Sequence, residues 1–88
     1  MIGKFFQALI HPIGEQDVKY WHDGYFIRVF KEQHGYGWQV YRNDKFTFRD
    51  GQFVDLIDGG LCEFQNDAYT SAEEYIENVL YSRTNYGR

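Results

Sequence analysis

Residues 25–31 read Tyr25-Phe26-Ile27-Arg28-Val29-Phe30-Lys31. Aromatic and β-branched residues fill this run, and a period of two places Tyr25, Ile27 and Val29 on one face and Phe26, Arg28 and Phe30 on the other. Neither face is polar. An antiparallel sheet with one face in water alternates cleanly, so this strand belongs to a sheet covered on both sides. Upstream, Val18 to Trp21 and the turn His22-Asp23-Gly24 complete a hairpin with it. Downstream, the glycine-bounded stretch Glu32 to Gly37 turns the chain into a third strand, Trp38 to Arg42. Asn43-Asp44-Lys45 then leads to a fourth, Phe46 to Arg49. Asp50-Gly51 makes another hairpin-type turn, and Gln52 to Ile57 and Leu61 to Phe64 are strand candidates separated by Asp58-Gly59-Gly60.

The flanks read as helices. Ile2, Phe5, Phe6, Leu9 and Ile10 recur at helical spacing until Pro12 stops them, so residues 1–14 are expected to form a short amphipathic helix and a proline turn. At the other end Thr70 with Glu73, or Ser71 with Glu74, makes a capping box, which predicts a helix over 71–83. Ala72, Tyr75, Ile76, Val79, Leu80 and Arg83 fall on its sheet-facing stripe, with Glu73, Glu74, Glu77 and Asn78 toward water. Residues 84–88 are expected to be a tail. The expected fold is a single α+β domain over 1–88: an antiparallel β-meander of four to five strands (18–64) packed against the C-terminal helix, with the short N-terminal helix on an end or on the second face.

Length and composition narrow the class. Eighty-eight residues build one core, and eight Phe, eight Tyr and two Trp supply more apolar bulk than a disordered chain carries. No apolar run exceeds three residues, against the roughly 20 that a membrane helix needs. The single Cys62 forms no internal disulfide, and the N-terminal stretch lacks a signal-peptide pattern, so a cytoplasmic location is expected. His11, His22, His34 and Cys62 show no paired short spacing of the kind zinc ligands use, so no metal is expected. Gly35 and Gly37 lack the third glycine and the following helix of a phosphate loop. Neither a catalytic residue nor a cofactor is expected.

Charge is polarised along the chain. Residues 1–49 sum to +2, Asp50 to Ser82 carry eight acids and no base, and Arg83 and Arg88 close the net charge at −4. Charge steers association, and aromatics supply burial. The expected function is therefore a non-catalytic interaction or regulatory module that binds another protein, with Phe26, Phe30 and Tyr41 for apolar contact and Asp55, Asp58, Glu73 and Glu77 to meet a basic surface. A second copy of the chain is an alternative partner for the aromatic face. The competing reading is a single-stranded nucleic-acid-binding sheet using Arg28, Arg42 and Arg49 with neighbouring aromatics, which the run of eight acids disfavours. The element order over Tyr25–Leu80, with Thr70-Ser71-Ala72-Glu73-Glu74 opening the helix, resembles small sheet-plus-helix modules such as AP2-type DNA-binding domains and HicB-like antitoxins; no functional residue carries over from them.

Overall fold

Two Asp-Gly pairs close hairpins in the way their chemistry requires. Asp23 and Gly24 hold φ angles of 50° and 88°, and Asp50 and Gly51 hold 55° and 83°. A two-residue turn with both central residues in this left-handed region matches the right-handed twist of the strands it joins, and Asp-Gly adopts it at little cost. A computed structural model of the chain describes residues 17–80. The first hairpin joins β1 (Val18–His22) to β2 (Tyr25–Glu32), which pairs in turn with β3 (Gly35–Tyr41). The second joins two short strands, β4 (Phe48–Arg49) and β5 (Gln52–Phe53), which form a small ribbon of their own. The chain then returns as β6 (Leu56–Cys62) along the free edge of β3, giving an antiparallel sheet of order β1-β2-β3-β6.

This corrects two sequence expectations. Phe46 to Arg49 does not extend the main sheet, because residues 42–55 leave it as an excursion whose backbone is pinned at its base by Arg42 N–H donating to the Asp55 carbonyl at 2.9 Å. Nor do Asp58-Gly59-Gly60 form a turn. They lie inside β6, where Gly59 and Gly60 sit opposite Gln39 and Trp38. A Cβ at Gly60 would come within 2.8 Å of the Trp38 indole nitrogen, and one at Gly59 within 2.7 Å of the Trp38 carbonyl. These glycines serve close approach between strands.

The helix begins earlier than the capping-box reading placed it. Helix α1 spans Gln65–Tyr75 and continues through a π-helical turn, Ile76–Leu80. Phe64 occupies the N-cap in extended conformation with no side-chain cap, and Thr70 and Ser71 lie mid-helix. The reason is packing. Ala68, Ala72, Ile76 and Leu80 recur every four residues and are the helix's buried positions, so the first turn must start before Ala68 to bring it onto the sheet. They meet Ile27, Val29 and Val40, all essentially without solvent exposure, with Tyr20, Tyr36, Trp38 and Ile57 packed around them. The two alanines let the helix backbone lie close to the strands. The expected helix over 1–14 and the tail 84–88 lie outside the described residues, as does Arg83. Among the described residues no helix is long and apolar enough to cross a membrane.

Candidate functional site

The centre of the sheet face turned away from α1 is also withdrawn from water, and it is built from different chemistry. Register places Lys19, Arg28, Gln39 and Gly59 in one row across the four strands, and Trp21, Phe26, Tyr41 and Leu56 in the next. Arg28, Gln39 and Tyr41 have no solvent exposure and Phe30 has 2%. The Arg28 guanidinium donates from Nε to Asp17 Oδ2 at 2.6 Å and from Nη1 to Gln39 Oε1 at 2.8 Å. It also stacks 4.1 Å above the centre of the Phe30 ring. The Tyr41 hydroxyl donates to the same Gln39 oxygen at 2.6 Å. Burial pushes the Tyr41 phenol up to about 12, with the neighbouring guanidinium pulling the other way. Phe30 lies over Gly37, where a Cβ would stand 2.4 Å from the ring.

These positions reassign three expected site residues. Phe30 and Tyr41 are interior, so neither offers a contact surface. Arg28 is engaged by a buried carboxylate and is not placed to hold a phosphate.

The aromatic surface lies at the end of this face, where the 42–55 excursion folds back. Phe46 adopts a left-handed φ of 51°, uncommon for a bulky side chain, and its ring packs edge-on against Tyr41 at 4.8 Å and Phe26 at 5.6 Å. Edge-to-face contacts continue in both directions, from Phe26 to Trp21 at 4.9 Å, from Tyr41 to Phe53 at 5.8 Å, and from Phe53 to Phe48 at 5.0 Å. Aromatic pairs favour this tilted arrangement because the positive ring edge meets the negative face. Phe26 is thus half-buried beneath Phe46 and Trp21. The two ends of the run, Trp21 and Phe48, are each 52% exposed. Lys19, Arg42, Lys45 and Arg49 are exposed on the same strands and excursion, together with Asp23, Asp44 and Asp50.

The expected acidic residues go to several places. Asp55 accepts from the Asn43 side chain at 2.9 Å and helps fix the excursion. Asp58, half-buried in β6, accepts from the N–H of Gly59 at 2.7 Å. Glu73 and Glu77 do not look only to water, because both reach over the edge strand β1. Tyr20 donates its hydroxyl to Glu73 Oε2 at 2.8 Å, and His22 Nε2 lies 2.8 Å from Glu77 Oε2. Partial burial, and then the Glu73 carboxylate, hold the Tyr20 phenol well above its ordinary value. Asp23 Oδ2 stands 3.7 Å from the same His22 nitrogen. A further cavity of 180 Å³ lies between the β2–β3 turn and the end of β6, with His34, Cys62 and Glu63 on its wall. Cys62 Sγ is 3.5 Å from Ser71 Oγ of α1.

No known protein family, curated protein or solved structure matches this chain.

The site residues that sequence reasoning missed are Trp21 and Phe48. Trp21 lies on a strand expected to belong to the sheet, and Phe48 on the expected fourth strand, Phe46 to Arg49, where neither is set apart from its neighbours by residue type. Their signal was position: both sit beside the Asp-Gly turns, where strands end and side chains are least covered.

Proposed function

We propose that the chain is a non-catalytic module that binds a protein partner through Trp21 and Phe48. One observation supports the reading above all: two large aromatic side chains stand half exposed at the ends of a run of edge-to-face rings whose inner members are buried (Tyr41, Phe53) or half-buried (Phe26, Phe46). Rings held in this way lose little conformational freedom on binding, and aromatic anchors surrounded by tight packing dominate the energetics of protein interfaces. The exposed bases and acids around them supply a polar rim that orients a partner. Glu73 and Glu77 are occupied with Tyr20 and His22, so the acidic contribution passes to Asp23, Asp44 and Asp50, exposed on the hairpin turn and the excursion beside the two aromatic residues.

The test is affinity purification from the native host with wild-type protein and the double variant Trp21→Ser, Phe48→Ser. The expected result is loss of the captured partner by the variant, with unchanged far-ultraviolet circular dichroism and melting temperature. Equal capture by both proteins overturns the reading. Sedimentation of the purified chain in the same experiment distinguishes a second copy from a different protein.

Arg42, Lys45 and Arg49, exposed beside Phe48, favour a second reading in which the excursion binds single-stranded nucleic acid. That contact has to act without Arg28. Its signature is an affinity for single-stranded oligonucleotides that falls steeply with salt and with Arg42→Glu or Arg49→Glu, and absence of binding at low salt ends it.

A further inference from the structure

We propose that His22, Asp23 and Glu77 form a binding site for a divalent transition cation, with Zn²⁺ as the best match. The three side chains come from two places in the fold: the consecutive residues that end β1 and open its turn, and the π-helical turn that follows α1. Each offers one donor atom, and these atoms all lie within 4.8 Å of one another. His22 Nε2 is 2.8 Å from Glu77 Oε2 and 3.7 Å from Asp23 Oδ2. Ligand atoms about 2.0–2.2 Å from a shared metal sit a little over 3 Å apart, so separations of up to 4.8 Å close onto one ion by rotation of the two half-exposed carboxylate side chains.

Backbone geometry aims the groups. Asp23, in the left-handed conformation at φ 50°, has its carboxylate 3.7 Å from the ring nitrogen at the end of β1, and the π-helical turn carries Glu77 to 2.8 Å from the same nitrogen. The His22 side chain is 23% exposed, whereas those of Asp23 and Glu77 are 53% and 49% exposed. A hydrated ion therefore has an open approach, and water can complete its coordination.

The donor set selects the class of ion. Imidazole nitrogen suits zinc, nickel, cobalt and copper, while calcium and magnesium prefer all-oxygen sites. Two carboxylates and a neutral imidazole balance a double positive charge. Sequence spacing hid the site, because His22 and Glu77 are separated by 55 positions. Binding replaces the hydrogen bond between His22 and Glu77 with two metal bonds and ties the C-terminal part of the helix to edge strand β1. An ion that binds the folded chain in this way also raises its stability.

The experiment is a calorimetric titration of the chelator-treated full chain with Zn²⁺, paired with thermal melts with and without the metal. The expected result is saturation at one ion per chain and a higher melting temperature with zinc. His22→Ala and the isosteric Glu77→Gln should each weaken binding by roughly tenfold or more, and Asp23→Asn should weaken it less. His11→Ala, His34→Ala and Cys62→Ala, which remove the chain's other soft donors, should leave it unchanged. Circular dichroism establishes that each variant is folded, and Glu77→Gln, which keeps a hydrogen-bond acceptor for His22, decides the matter if His22→Ala unfolds. Absence of saturation at millimolar zinc overturns the proposal. So does undiminished binding by folded Glu77→Gln, or loss of binding in His11→Ala, His34→Ala or Cys62→Ala.

Discussion

Arg28 shows how one residue can carry opposite readings until its partners are known. An arginine between aromatics on a strand has the composition of a phosphate-holding surface, and the sequence offers that reading freely. Asp17 decides against it. Val18 pairs with Val29 across the β1–β2 hairpin, so Asp17 stands just beyond the strand end, diagonal to Arg28, and its carboxylate reaches the guanidinium. Removing one member of a buried ion pair leaves the other charge desolvated, which costs about 3–5 kcal/mol, whereas replacing both by apolar groups is often close to neutral. Asp17→Ala is therefore expected to destabilise the chain by about 3 kcal/mol in denaturant unfolding, and the double variant Asp17→Leu, Arg28→Met by clearly less than the sum of its single changes. Tyr41, at the other end of the same network, gives a pH signature. Its folded value near 12 lies above the ordinary 10, so below pH 10 both folded and unfolded chains keep the proton and its stabilisation is fully present. Between pH 10 and 12 the unfolded chain loses the proton first, and stability falls by about 1.4 kcal/mol per pH unit from this group. Alkaline unfolding curves should show that decline, Tyr20 should add to it in the same direction, and Tyr41→Phe should make it shallower.

At the scale of elements, the sequence identified the sheet and the helix that covers it but misplaced two boundaries, each for a physical reason. The β1–β2 hairpin was readable because Asp23-Gly24 and the flanking β-branched and aromatic residues point to one conformation. Asp58-Gly59-Gly60 has the same composition whether it turns or lets an indole lie against the backbone, and only the partner strand, with Trp38 and Gln39 opposite, separates the two. The helix start was misread because Thr70 and Ser71 with acids three residues on satisfy a capping pattern that local sequence cannot tell from an ordinary helix surface. Tertiary packing of Ala68 outweighs it. An N-cap threonine replaced by alanine costs about 1 kcal/mol, while alanine is the best residue for an exposed helix interior. Thr70→Ala is accordingly expected to leave stability within about 0.5 kcal/mol of wild type, or to raise it slightly, as measured by chemical unfolding.

Across the whole molecule, the sheet divides two interiors of unlike character. On one side α1 lays alanine, isoleucine and leucine against valine and isoleucine; on the other, an ion pair and its amide and phenol neighbours sit beside a run of aromatic rings. The two-faced strand at residues 25–31 announced that both sides would be covered, and this much was legible. The candidate surface was legible only in kind. Aromatics and charges were the right materials, but Phe30 and Tyr41 were taken inward and Glu73 and Glu77 were drawn to β1, because side-chain direction depends on which strand lies next to which. The division has a consequence for how the strands find their alignment. If β2 slid by a single residue against β3, Arg28 would be carried beneath the helix among Ala68, Ala72 and Ile76, and Ile27 would meet the Asp17 carboxylate. A wholly greasy sheet would accept several alignments at similar energy; this one makes the neighbouring misalignment strand a bare cation in oil, so the polar side acts as a key that fits only one setting of the lock.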